Sequence, residues 1–424
     1  MAILPFSVPT IEAFAIPGVS FLICFLAYTS QVLFYYIEPG PLTQKEALWF
    51  NGFVLGIWWC YRLACTTDPG PKGWVDKVVV DHTEDTVDDE DADLKRGMRW
   101  CKKCTAVKPP RAHHCRRCGR CIPKMDHHCP WTTNCVSHTN FPHFVRFVFY
   151  AVVSMSILQY HLYFHALYLW DNRNIPAYLG PSAWWMAYLF VLISVNSITL
   201  FALTILLVTA AHSLAINTTM IEHWEIQRHE ALVDRSRKLG GLVYSNNGKR
   251  VRVQHQEYPY DIGIWTNLVQ AMGTRNVLLW LMPFGGAPIV DTALDWGVNG
   301  FEDPGTMWPP IDPEKLPRAA IRIDASGVRD YDTPEEEMEA FRRRQQEDFM
   351  RRGWGEDGSH EENEGNNQQR PYGFYGGDEE ESDMTDSWTN ADGDRLADFG
   401  VDEEVEDEDD IPLGELLRRR KKNL

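Results

Sequence analysis

The sequence predicts an all-α, polytopic membrane protein with four transmembrane helices, a cytosolic cysteine-rich insert between the second and third, and a disordered acidic C-terminal tail. Three observations carry this reading. Four apolar runs reach the roughly 20 residues that a hydrocarbon core of about 30 Å requires of a helix. Seven of the ten cysteines fall between Cys101 and Cys135. The last 125 or so residues are acidic, Gly- and Asn-rich and poor in aliphatics. The averages, a net charge of −18 and a mean hydropathy of −0.32, conceal this division.

The runs cover residues 16–37, 47–65, 147–170 and 183–211, and none contains Lys, Asp or Glu. Only the second holds a charge, Arg62, near its end. The first does not read as a secretory leader, because no Lys or Arg precedes it and it is too long for an h-region. Loop 38–46 offers only Lys45 and loop 171–182 only Arg173, against thirteen Lys or Arg in 66–142. The basic loop therefore lies in the cytosol, and four spans put both termini there too. Tyr35, Tyr36, Trp49, Trp58, Trp59, Trp170, Trp184 and Trp185 gather at span ends as an interfacial belt. Inside the third run, Gln159, His161 and His165 are costly in lipid and are expected to face the bundle through helix-packing hydrogen bonds rather than to hold a metal.

In the insert, Cys101-x2-Cys104 is followed by His114-Cys115-x2-Cys118-x2-Cys121, then His128-Cys129 and Cys135. Cysteines two residues apart bite one tetrahedral zinc, and each closed site takes four S or N ligands. Two Cys3His sites consume six cysteines and two histidines, which leaves one thiol over. A cytosolic placement keeps these thiols reduced, so zinc is favoured over disulfides. The surplus thiol is assigned to Cys129, which ends the run Asp126-His127-His128-Cys129. A histidine beside a thiol, itself oriented by a carboxylate, lowers the thiol's pKa and accepts its proton. A purely zinc-knotted, non-catalytic module is the alternative.

Cys101-Lys-Lys-Cys104, Lys108-Pro-Pro-Arg111-Ala-His-His114-Cys115, Cys118, Cys121, Asp126-His127-His128-Cys129-Pro-Trp131, Asn134-Cys135 and Asn140 resemble the cysteine-rich domain of the DHHC protein S-acyltransferases (palmitoyltransferases). The resemblance implies a cytosolic zinc-bound domain of small β-hairpins over residues 95–145. It implies one zinc on Cys101, Cys104, His114 and Cys121, and a second on Cys115, Cys118, His128 and Cys135. The zinc ions are then structural, with no open position. It also implies transfer of a long-chain acyl group from acyl-CoA to cysteine thiols of membrane proteins, through an acyl-enzyme on Cys129 with His127 as general base and Asp126 fixing its tautomer. Trp131 is placed to cover the active-site mouth or to cap the zinc domain.

Flanking segments extend the resemblance over roughly residues 10 to 285. Asp68-Pro69-Gly70, in the 66–94 linker, matches the family's Asp-Pro-Gly motif. Residues 81–93 hold eight acids and read as a solvated linker, while 95–124 hold eleven Lys or Arg suited to anionic lipid heads or the phosphates of coenzyme A. Nucleic acid is disfavoured as a partner by the tether to four spans and by the net charge. Thr219-Met220-Ile221-Glu222 matches the family's Thr-Thr-x-Glu motif with a methionine at its second threonine, which puts any role of that hydroxyl in question. Ser137 replaces the usual glycine, so a turn of altered geometry is expected. In the cytosolic region 212–300, Tyr260-Asp261-Ile262-Gly263, Asn267, Gln270, Gly273 and Asn276 resemble the family's C-terminal packing motif.

From 301 to 424 the chain is expected to be disordered, with at most a short helix around Pro334 to Arg352. Its end carries Lys421-Lys422, placed as in a dilysine retrieval signal of endoplasmic reticulum membrane proteins. Cys135-Val-Ser-His138, the Thr219-x-x-Glu222 variant, Tyr258-Pro-Tyr-Asp-Ile-Gly-Ile-Trp265 and the short N-terminus most resemble the fungal endoplasmic reticulum branch of the family, which implies chitin synthase as one substrate.

Overall fold

The computed structural model describes residues 11–77, 99–176, 178–238, 241–244, 250–301, 308–310, 312–313, 342 and 388–402. Helix α1 begins at Ile11, passes through Pro17, and runs as Ile11–Cys24, a π-helical turn Phe25–Thr29 and Ser30–Phe34. Helix α2, Gln44–Thr66, starts at a capping box in which Glu46 accepts from the Thr43 N–H at 2.9 Å while Thr43 Oγ1 accepts from the Glu46 N–H. Helix α3 is Phe141–Asp171, entered through Pro142, where a missing N–H costs nothing. Helix α4 is Ala183–Ile216, closed by Asn217 in the left-handed region (φ 57°).

Three helices among the described residues are long and apolar enough to cross a membrane, over Phe14–Phe34, Phe141–Asp171 and Ala183–Ile216. The chain is a multi-pass membrane protein. Leu26, Leu33, Phe34, Phe50, Val54, Met155, Leu158, Leu162, Leu189 and Leu192 form a core shared by all four helices. Gly56 of α2 admits α3 closely, since a Cβ there would lie 2.5 Å from the Tyr150 ring. Most of α4 instead presents apolar side chains outward, Phe190, Ile198, Phe201 and Val208 among them, as a lipid-facing helix does.

The polar groups of the third run turn inward as expected. Gln159 Oε1 accepts from Asn196 Nδ2 at 2.8 Å and from the Ser197 hydroxyl. His165, buried against Phe34, bonds the carbonyls of His161 and Gly40.

Between α2 and α3 the chain folds into three antiparallel hairpins: β1 Arg99–Cys101 with β2 Ala106–Lys108, β3 His113–Cys115 with β4 Arg120–Ile122, and β5 His127–Cys129 with β6 Asn134–Val136. Beyond α4 come α5, Met220–Lys238, and the hairpin of β7 Leu242–Tyr244 with β8 Arg250–Arg252. Two short helices follow, α6 Ile264–Met272 and α7 Leu278–Leu281.

Among the described residues, the 301–424 stretch departs from the expectation of a structureless tail at two places, the first where Trp308 is buried with Tyr260, Ala293 and Trp296 and Asp312 pairs with Arg228. At the second, Trp388–Asp402 is ordered, and Leu396, Phe399 and Val401 bury themselves against Cys115, Ile122, Met125 and Trp224. The acidic run at 81–93, the helix expected around Pro334 to Arg352 apart from Arg342, and Lys421-Lys422 lie outside the described residues.

Candidate active site and metal clusters

Strand alternation sorts the ligands. Adjacent residues of a strand point to opposite faces, so β3 gives His114 to one cluster and Cys115 to the other. Register then sets a cysteine opposite each histidine: His114 pairs with Cys121, and His128 with Cys135. The knuckles Cys101–Cys104 and Cys115–Cys118 close the clusters from the side, the second N–H of each donating to the first Sγ at 3.4 Å.

In the first cluster, His114 Nδ1 lies 3.3, 3.4 and 3.9 Å from the sulfurs of Cys101, Cys104 and Cys121. In the second, His128 Nδ1 lies 3.6, 3.6 and 3.4 Å from those of Cys115, Cys118 and Cys135. Bonds of about 2.3 Å to sulfur and about 2.0 Å to nitrogen put tetrahedral ligands roughly 3.5–3.8 Å apart, and both sets match that spacing. All four ligand atoms of each set lie within 4.8 Å of one another, so each cluster fits one zinc ion.

Cys129 belongs to neither cluster. His127 and Cys129 are two apart on β5 and share the face opposite His128. Asp126 Oδ2 lies 2.8 Å from His127 Nδ1, which leaves the other ring nitrogen for Cys129 on the same face of the strand. The Oδ1 of Asp126 accepts the Met220 N–H at 2.8 Å. Burial is the largest influence on Cys129 and pushes its thiol up, yet the hydrogen bond and charge of His127, with Thr132, hold it below the ordinary value. Burial also opposes a charge on His127, but hydrogen bonds and charges from Asp126 and Cys129 raise it to about 10. The arrangement favours a thiolate beside an imidazolium.

A family model described as DHHC palmitoyltransferase matches residues 95–227. The palmitoyltransferase pfa4 of Aspergillus fumigatus is 46% identical over 97% of this chain and 98% of its own length. Its counterparts are 45% identical in Emericella nidulans (97% of each chain) and 43% in Gibberella zeae (98% of this chain, 97% of theirs). The chain belongs to the DHHC palmitoyltransferase family. It is a protein S-palmitoyltransferase, using acyl-CoA to acylate cysteines of membrane proteins.

The flanking motifs of this DHHC enzyme dock its hairpins onto the bundle. The Asp-Pro-Gly turn packs so closely on β4 that a Cβ on Gly70 would lie 2.6 Å from Pro123. Ser137, at the family's glycine position, has no left-handed backbone. Its hydroxyl donates to the Pro69 carbonyl at 2.8 Å, a tie that glycine could not make. Asn134 Nδ2 donates to the carbonyls of Ala64 and Thr67 at 3.0 and 2.9 Å, and the Tyr61 hydroxyl donates to that of Trp131 at 2.8 Å. The Trp131 side chain is 62% exposed, so it does not cap the zinc domain.

The Met220 substitution keeps the contact at Asp126 that its backbone N–H makes. Thr219 and Glu222 form a reciprocal cap: Glu222 Oε2 accepts the Thr219 N–H and Thr219 Oγ1 accepts the Glu222 N–H. Glu222 also meets Arg111 in a bidentate pair, both buried, and accepts from the Tyr258 hydroxyl at 2.7 Å. The Arg111 guanidinium lies over the rings of Tyr260 and Trp296. Asn217 donates to the Tyr260 carbonyl and to Gln270, and accepts from Lys124 at 2.6 Å. Asn267 donates to the Ala215 carbonyl at 2.7 Å, which secures the C-terminal packing motif to the end of α4. No local pattern in the sequence assigns these roles to Arg111, Lys124, Asn217 or Tyr258. A buried-charge partner 111 residues away leaves no local pattern; the unabsorbed Arg111 beside Lys108-Pro-Pro is the one available signal.

Proposed function

We propose that Cys129 carries the acyl group and that His127 and Asp126 serve it. Its Sγ attacks the thioester carbon of a long-chain acyl-CoA, His127 takes the thiol proton, and the departing CoA thiolate receives it. In the second step His127 deprotonates a substrate cysteine, which attacks the acyl-enzyme and releases the Cys129 thiolate. Asp126 holds the imidazole and supports its charge. The carrying observation is the position of Cys129: a thiol outside both clusters, beside His127, in an apolar group with Phe144, Val148, Phe147, Val152, Leu206 and Leu207 of α3 and α4. That group supports an acyl chain running between these helices, where each buried CH2 is worth about 0.8 kcal/mol.

Zinc is assigned to Cys101, Cys104, His114 and Cys121, and to Cys115, Cys118, His128 and Cys135, where it would crosslink the hairpins and add no reactive group. Replacing Cys129 with Ser should abolish a hydroxylamine-sensitive palmitoyl label while both zinc ions are retained. A variant that labels like the parent would refute the assignment, whereas a parent that takes no label would favour a zinc-stabilised adaptor.

The four-span topology, with both termini cytosolic, rests on α2: its 23 residues are about 34 Å long, and its face is buried against α1 and α3. The basic loop 66–142 supports the orientation. Residence in the endoplasmic reticulum rests on Lys421-Lys422. It predicts that a K421A/K422A variant leaves that membrane; an unchanged distribution would discard the signal. Chitin synthase as substrate predicts loss of its thioester-linked acylation in cells that lack this chain.

A further inference from the structure

Among the described residues, the acidic C-terminal region returns to the zinc domain at Trp388–Asp402, and neither the transfer chemistry nor the membrane bundle requires it. Val401 pairs with Cys115 in an antiparallel bridge. The Arg116 N–H donates to the Gly400 carbonyl at 3.1 Å, and the Asp402 N–H to the His114 carbonyl at 3.1 Å. The segment thus extends the β3 edge where that strand supplies one ligand to each cluster. Gly400 adopts φ 83° and passes so close to His128 that a Cβ would lie 2.5 Å from the histidine Cβ. Asp402, itself buried, pairs with Lys103 between Cys101 and Cys104. At the other end, Trp388 meets Trp224 edge-on at 4.9 Å under the Arg228 guanidinium, and the Trp224 indole donates to the Asp394 carbonyl. One stretch therefore touches both metal clusters and α5, whose first turn holds Asp126.

We propose that Trp388–Asp402 is a reversible cis-acting clamp, seated in a peptide groove between the β3 edge and α5, which holds the second Cys/His cluster closed behind the His127–Cys129 strand. A cover is the competing reading, but the contacts traced above fall on Lys103, His114, Cys115, Arg116, Ile122, Met125, His128 and α5, and His128 lies on the face of β5 opposite Cys129. Reversibility follows from its size. Four large apolar side chains, Trp388, Leu396, Phe399 and Val401, anchor the segment against the entropy of ordering all fifteen residues. Its effect on turnover rests on the reading that Cys129 carries the acyl group; its effect on the hairpins does not.

The test uses the full chain with Gly400→Val, which removes the space at His128, and independently Phe399→Asp. Both should raise amide hydrogen exchange across residues 113–129 about tenfold and hasten release of one of the two zinc ions to a chelator, in the parent and in a Cys129→Ser background alike. Acyl-enzyme formation in the Cys129 forms should slow several-fold. A synthetic peptide of residues 387–403 should restore protection to the Phe399→Asp chain, whereas a scrambled peptide should not. Unchanged exchange and zinc release in both variants would overturn the clamp, and so would faster acyl-enzyme formation, which would make the segment a cover. Failure of Cys129→Ser to abolish labelling would strike the catalytic assignment alone.

Discussion

Replacing Glu222 with Gln removes one charge from the buried ion pair that links the zinc domain to the first turn of α5. Glu222 is 2% exposed and Arg111 2%. Breaking a buried, hydrogen-bonded pair costs about 3–5 kcal/mol, because the remaining charge stays buried. The electrostatics give a similar figure. Burial opposes the Glu222 charge, but Arg111 outweighs it and lowers the carboxyl from 4.5 to about 2, equivalent to about 3 kcal/mol in favour of the charged form. After the substitution Arg111 keeps the Asn217 carbonyl, Tyr258 and two aromatic faces, so the lower part of the range is expected. Thermal unfolding in mild detergent, with the zinc domain followed by exchange protection, reads the loss. Arg111→Met combined with Glu222→Leu should be less damaging than the sum of the single changes, since both charges leave together. Acylation should fall as well, because the α5 cap that aims the Met220 N–H at Asp126 includes Glu222. A Glu222→Gln loss below about 1 kcal/mol, or strict additivity in the double variant, would refute the reasoning.

Three other outcomes follow from the same geometry. With its folded pKa depressed, Glu222 contributes stability above about pH 4.5 that is lost as pH falls toward 2, so acid unfolding should begin in that window and shift in Glu222→Gln. The Cys129 thiol lies below its ordinary value, so alkylation by iodoacetamide should reach half-maximum below pH 9 and move upward in His127→Ala. Stripping zinc with a strong chelator should abolish hairpin protection and labelling together, since strands of three residues have little core beyond their ligands; label surviving on metal-free protein would contradict this.

The membrane runs, the ligand spacing and the odd thiol were all legible in the sequence, because each depends on residues close together in the chain. The C-x2-C knuckles and the Asp126–Cys129 run are local patterns, and strand alternation carries them into geometry with little help from the rest of the fold. What escaped depends on long-range pairing. Arg111 with Glu222, Lys124 with Asn217 and Ser137 with Pro69 are each settled by how segments meet. Trp388–Asp402 escaped for a compositional reason: a few anchoring apolar residues are diluted among acids, and the average reads as a solvated tail. Helix α2 lies between the two cases, since Gln44, Asn51 and Arg62 lower its hydropathy while its partners bury its inner face.

Asn134 and Tyr61 fasten the hairpin that carries Cys129 to the last turns of α2, so on the proposed reading of α2 as a span its length, rather than a pliable loop, would set the height of Cys129 above the bilayer. On the proposed reading of Cys129 as acyl carrier and α2 as a span, a thiol held at constant height would select by altitude. Cysteines of other proteins that come to rest at the same level above the lipid would be reachable whatever residues flank them, and those displaced by one or two helical turns would not. Among otherwise similar substrates, choice would then be exercised by a ruler embedded in the membrane.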